Sequence, residues 1–189
     1  TGSTGDNIWA FNDGVELWRS PDLKAWHYMG VVWSVEKDGG WEKGWRGMHD
    51  LPTRAIWAPE IHYVGGVYAI ALSMAPGGLS ILKSASGKAE GPYVHAFSPN
   101  KPIMNGIDGT LFEDDDGSVY FTYGGAHRLY RLKPDWSGFD GEPHEIAFDE
   151  DHDPAHHGPR CPANNFNDIG REGAVLFKAN GRYYLGAAD

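Results

Sequence analysis

At 189 residues the chain is long enough for one domain with a real core and too short for two comfortable ones. Its 26 Asp and Glu against 16 Lys and Arg leave a net charge of -10, which repels a polyphosphate and sets nucleic acid aside as a partner. With Cys161 as its single cysteine the chain forms no intrachain disulfide, and no apolar run reaches the length of a bilayer span, so a membrane is not expected as a partner either.

The opening "TGSTGDN" has neither the basic start nor the apolar middle of a signal peptide. A start at Thr1 without Met, and an end on "YYLGAAD" in mid-pattern, lead us to expect an interior piece of a longer chain. Along the chain, 26 Gly, 12 Pro and 8 Trp, 9 Tyr and 8 Phe favour strands and tight turns over long helices. "GVELWRS" (14–20) runs through a Pro-Asp turn into "AWHYMGVVW" (25–33). "IHYV" (61–64) turns at Gly65-Gly66 into "VYAIALS" (67–73). "TLFED" (110–114) turns at Asp116-Gly117 into "SVYFTYG" (118–124), followed by "RLYRL" (128–132). "AVLFKA" (174–179) turns at Asn180-Gly181 into "RYYLG" (182–186). Asn-Gly and Asp-Gly mark hairpins because both central positions accept positive φ. No helical period stands out, so the fold class is all-β.

Three of these hairpins repeat one pattern, an apolar strand, a tight turn and a strand with paired aromatics, starting near 61, 110 and 174, with an irregular insertion stretching the last interval. A repeat of roughly 40 to 50 residues made of antiparallel strands points to a β-propeller with four-stranded blades. A β-sandwich also has short strands and turns, and the repeat spacing decides between the two. In a propeller the first strand of each blade lines the central channel, so Glu60, Asp108 and Glu172, at the heads of their repeats, are expected at equivalent places and convergent on one axis. Carboxylates brought together in a partly dry pocket raise the pKa of at least one of them, as a proton donor near neutral pH requires. Taken singly, each acid could equally cap a turn in solvent.

"WAPEIHYVGGVYAI", "GIDGTLFEDDDGSVYFTYG" and "REGAVLFKANGRYYL", in that order, resemble the inner-strand motifs of glycoside hydrolase family 43, and "TGST", "GVELWRSPDLKAWHYMG" and "SASGKAEGPYV" resemble the stretches that flank them. The resemblance covers nearly all of the chain and implies a single catalytic-type domain over 1–189, part of a five-bladed propeller that cuts arabinose-, xylose- or galactose-containing oligosaccharides or polysaccharides. It implies an inverting hydrolysis by a proton-donating acid and a water-activating carboxylate. Carried over by motif, Glu172 matches the general acid and Asp108 the acidic residue that tunes and orients it; Trp57, Glu60 and Arg171 fall at substrate-facing places. Trp57 offers a ring face to sugar C–H groups or packs in the core, and Glu60 is a wall residue or a strand-head cap. No cofactor is required, and a structural calcium in a longer protein is compatible with the family.

Several residues depart from the family pattern. The family's general base heads the strand before "TGST", which places it upstream of Thr1; Asp6 and Asp13 are the nearest acids and lie in a loop. The resemblance likewise leads us to expect the fifth blade outside this stretch, which alone is then expected to be nearly inactive, with the sheet edges of an unclosed propeller exposed. Gly109 and Ala174 stand where the family often has Pro.

The remaining motifs are weaker. "DEDHDPAHHGPRC" (149–161) gathers Asp151, His152, Asp153, His156, His157 and Cys161 at no standard metal spacing and reads as a loop. "EDDDGS" (113–118) lacks the alternating ligands of a calcium loop and reads as a hairpin turn. "SPDLKAW" (20–26) has an Asp-box flavour without its central Gly and reads as an outer turn closed by Trp26. A carbohydrate-binding propeller without catalysis remains the alternative to a hydrolase. A sialidase-type propeller ranks third, since its retaining mechanism would want a Tyr nucleophile and an arginine cluster. Plant-type glycans lie outside cells, which fits secretion or a periplasmic home, though the sequence names no compartment.

Overall fold

A computed structural model describes residues 12–45, 55–74, 77–124, 128–146 and 172–188. Two antiparallel meanders of four strands form its middle. One holds β3 (Ile56–Val64), β4 (Val67–Met74), β5 (Gly78–Ser84) and β6 (Tyr93–His95); the other holds β7 (Ile107–Glu113), β8 (Val119–Gly124), β9 (Arg128–Arg131) and β10 (His144–Glu145). They are flanked by two hairpins, β1 (Gly14–Arg19) with β2 (His27–Ser34) and β11 (Glu172–Ala179) with β12 (Arg182–Ala188). The four sheets follow one another as propeller blades, and among the described residues they do not close into a ring. Between β2 and β3 lie two single-turn helices, α1 (Val35–Asp38) and a 3₁₀ turn (Trp41–Gly44), too short for a sequence period to reveal.

The Gly65-Gly66 and Asn180-Gly181 turns predicted from sequence are left-handed at both central positions, whereas at Asp116-Gly117 only the glycine is, and the Asp116 carboxylate instead accepts the Ser118 N–H at 2.8 Å. Gly65, Gly66, Gly117, Asn180 and Gly181 all have positive φ, between 52° and 80°, which holds the hairpins in register. In the outer turn "SPDLKAW" the Asp22 carboxylate accepts the N–H groups of Lys24 and Ala25, each at 2.9 Å, and the Trp26 indole donates to the Leu23 carbonyl at 3.3 Å.

Sheets meet face to face through alternating side chains. Small Ala69 and Ala71 let the blade of β3–β6 approach the next, and Leu79 and Ile81 of the first blade meet Leu111, Val119, Phe121, Leu132 and Trp136 to close the core. A Cβ on Gly109 would come within 2.7 Å of the Phe121 ring, so the glycine makes room for a fully buried aromatic. A second core joins Val15, Trp33 and Val35 to Ile56, Ile70, Leu72, Met74, Leu82 and Tyr93. Within it the 3₁₀ turn inserts a fully buried carboxylate, Glu42. Its oxygens accept the Ser80 hydroxyl at 2.6 Å and the Gly40 N–H at 2.9 Å, and meet the His95 ring nitrogen at 3.0 and 3.1 Å. Burial pushes Glu42 up, but the hydrogen bonds from His95 and Ser80 outweigh it and hold the carboxyl below the ordinary glutamate range.

Candidate active site

β7 packs between β3 and β11, so the three inner strands stand side by side. Each carries the same irregularity near its head. Trp57 pairs with Ser73 and Glu60 with Ala71, leaving Ala58 and Pro59 opposite one residue. Asp108 and Gly109 are the doubled residues of β7, between Ile107 and Thr110, and Gly173 and Ala174 those of β11, between Glu172 and Val175. In every case the first doubled residue is left-handed: Ala58 at φ 41°, Asp108 at φ 54° and Gly173 at φ 64°. These are β-bulges, which re-aim side chains near a strand end.

The bulges correct the expected equivalence of Glu60, Asp108 and Glu172. Aligned on the bulge, Glu172 shares its rung with Trp57 and Ile107, Asp108 shares the next with Ala58 and Gly173, and Glu60 falls two rungs further along with Thr110 and Val175. Each bulge adds one residue to the strand, so period-2 counting from the turn loses the register at the head.

The two rungs nearest the head open on a hollow of about 320 Å³ lined by Asn12, Ile56, Trp57, Ala58, Pro59, Ile107, Asp108 and Glu172, within the size range of small-molecule sites. Trp57, Asp108 and Glu172, three residues singled out from sequence, are thus brought together. The carboxylates are linked through the backbone: Oδ2 of Asp108 accepts the N–H of Gly173 at 2.7 Å, so Asp108 grips the peptide bond that follows Glu172. The peptide after Trp57 is held in a similar way, its carbonyl accepting the Ser73 hydroxyl at 3.1 Å. An apolar wall of Ile56, Trp57, Ala58, Pro59 and Ile107 thus faces two carboxyl groups, which suits a ligand with C–H faces and a polar bond to be protonated.

Glu60 is not among the residues lining this hollow. Burial pushes its pKa up, but hydrogen bonds from His62, whose ring nitrogen lies 3.0 Å away, and from Thr110 outweigh it and leave the carboxyl below its ordinary range. It therefore ties β3 to β7 as a paired carboxylate. Arg171, Asp6 and the 149–161 cluster lie outside the described residues. Asp13 is exposed and uses its carbonyl to accept the Val35 N–H at 2.8 Å. The acids of "EDDDGS" hold a lysine: Nζ of Lys178 lies 2.6 Å from Asp114 and 2.7 Å from Asp115, and the Tyr183 hydroxyl donates to Asp114 at 2.6 Å. Asn12 and Ile107 were not singled out from sequence. Ile107 precedes a bulge as Trp57 and Glu172 do, a signal that shows only once the bulges are aligned.

Comparison with known proteins gives the context. The family described as Glycosyl hydrolases family 43 matches residues 3–189. A β-D-galactofuranosidase of Aspergillus niger is 28% identical over 137 residues, covering 58% of this chain and 34% of that protein. A provisionally named β-xylosidase of Escherichia coli is 28% identical over 193 residues, covering 93% of this chain and 31% of its own length. The chain thus spans about a third of the curated relatives it matches. Among solved structures, an α-L-arabinofuranosidase of Clostridium thermocellum superposes with a TM-score of 0.65 at 21% identity, covering 98% of this chain and 55% of that one. A family 43 protein of Bacillus licheniformis superposes with a TM-score of 0.56 at 26% identity, covering 89% and 30%.

Proposed function

The chain belongs to glycosyl hydrolase family 43, and on that footing we propose that its hollow binds one sugar residue of an arabinose-, xylose- or galactose-containing glycan and supplies the acid half of an inverting hydrolysis. Glu172 donates its proton to the glycosidic oxygen as the bond from that oxygen to the anomeric carbon breaks, and the bonding electrons leave with the oxygen. Water attacks the anomeric carbon from the opposite face and gives its proton to a carboxylate from outside the described residues. Asp108 holds the Glu172–Gly173 peptide in place. Trp57 offers its ring to the sugar's C–H face. The names of the relatives, a galactofuranosidase, an arabinofuranosidase and a β-xylosidase, support this range of sugars.

The observation that carries this reading is the Asp108–Gly173 hydrogen bond at the wall of a hollow that also holds Trp57 and Glu172. The test is hydrolysis by the longest available form of the protein, with and without Glu172→Gln. Nitrophenyl arabinofuranoside, xyloside and galactoside serve as substrates beside the matching disaccharides. The variant should lose about 10²- to 10⁴-fold on disaccharides and markedly less on nitrophenyl glycosides, whose leaving oxygen needs no proton. An equal loss on both kinds, or none, removes Glu172 from the acid role. Binding of the disaccharides without any cleavage by the unmutated protein would instead assign a carbohydrate-binding propeller. The 189-residue chain assayed alone should be nearly inactive.

A further inference from the structure

We propose that Asn12 is a sugar-contacting residue of the hollow, one that holds a pair of adjacent hydroxyl groups on the bound residue. The proposal deepens the glycosidase reading and rests on it. Asn12 lies just before β1, and its backbone carbonyl accepts the N–H of Ile56 at 2.6 Å while its side-chain Nδ2 donates to the Ile56 carbonyl at 3.1 Å. The next residue is anchored too, since the Asp13 carbonyl accepts the N–H of Val35. The Asn12 side chain is therefore fixed on a fixed backbone.

That bond also settles which way the amide faces. A carbonyl oxygen only accepts, so the amide atom turned to Ile56 is nitrogen, and Oδ1 points away from the β3 backbone. Among the described residues Oδ1 has no donor, and one N–H of the amide is likewise unused. Asn12 is exposed on the wall of the hollow and is the one uncharged side chain with a hydrogen-bond acceptor among the described residues that line it. Asp108 is committed to the Gly173 N–H and Glu172 to the reacting bond, Ile107 offers only apolar surface, and Trp57 offers its ring face and a single indole N–H donor but no acceptor. An amide with one free acceptor and one free donor on the same group matches two neighbouring hydroxyls of a sugar. Because its rotamer is already held, little conformational entropy is lost on binding.

The experiment compares calorimetric binding of methyl arabinofuranoside, methyl xyloside and methyl galactofuranoside, each beside its monodeoxy analogues, to the longest available form of the protein and to Asn12→Ala. The substitution should weaken the best parent glycoside about five- to tenfold. Its effect should vanish for the analogues that lack one of two adjacent hydroxyls and persist for the rest. A penalty equal across all analogues would make Asn12 a purely structural clamp and overturn the proposal, as would no penalty. Asn12→Asp, the same size, repeats the comparison if the alanine variant does not fold; it severs the donation to Ile56, and its effect must again concentrate on adjacent hydroxyls. If the unmutated protein binds none of the glycosides, the glycosidase reading fails and the proposal with it. Binding that is indifferent to Asn12 overturns the proposal alone.

Discussion

The Asp108 carboxylate and the Gly173 N–H, on neighbouring blades, share a hydrogen bond of 2.7 Å, and through it one acid fixes the main chain beside another. Asp108→Ala removes the acceptor and the charge; Asp108→Asn keeps an acceptor oxygen. If the grip on the peptide matters, kcat on a disaccharide falls more for alanine than for asparagine, with alanine losing about 10²-fold or more. Equal kcat values for the two variants would leave charge alone as the contribution of Asp108.

Trp57 lines the hollow and is half-buried, with its backbone secured by Ser73 independently of the indole. Trp57→Ala should therefore weaken sugar binding about tenfold, in line with the loss of an aromatic contact worth about 1 kcal/mol or somewhat more. Unfolding midpoints should move little. A large drop in stability with unchanged affinity would assign the ring to the core.

Asp114 is held down at about 2 by hydrogen bonds from Lys178 and Tyr183, and Lys178 is pushed up by Asp114, Asp115 and Tyr183. The depressed carboxyl contributes stability that is complete above its ordinary value of 3.8 and is lost as pH falls toward about 2. The raised ammonium contributes below its ordinary value and loses that contribution only in strong alkali. Urea midpoints followed from pH 5 to pH 2 should show an acid slope that shrinks in Lys178→Met. An unchanged slope would mean that the pair does not couple the two blades.

Glu42 is fully buried and meets His95 with both oxygens. His95→Leu leaves that carboxylate with Ser80 and Gly40 only, and should cost about 3–5 kcal/mol of unfolding free energy at neutral pH. Because Glu42 lies below its ordinary range when folded, its contribution is present at neutral pH and lost on acidification. The deficit of His95→Leu should therefore narrow toward acid. A deficit under 1 kcal/mol, read by urea denaturation, would contradict a buried carboxylate that depends on His95 for its hydrogen bonds.

Much of this was legible in the chain. The Gly65-Gly66 and Asn180-Gly181 turns gave two of the hairpins, because a left-handed pair is a local demand that few residues meet, and Asp116-Gly117 marked a third turn in which Gly117 alone is left-handed. Trp57, Asp108 and Glu172 could be picked out because motifs sit at strand heads. The order of rungs was not legible: a bulge inserts a residue without a composition signal when its left-handed position is Ala58 or Asp108. Glu60 was set level with Asp108 and Glu172 for that reason. Asn12 escaped because its place on the wall of the hollow depends on a contact with Ile56, 44 positions away, and Glu42 because nothing local distinguishes a charge on a short helical turn from a solvated one.

The bulges also separate chemistry from architecture. Ala58, Asp108 and Gly173 stand outside the regular ladder of their strands, so among residues that accept their left-handed backbone the identity of each can change with little effect on pairing. A methyl, a carboxylate and a bare backbone already occupy the same station on three successive blades. A scaffold built this way can exchange its reactive groups one blade at a time while the sheets beneath keep their form.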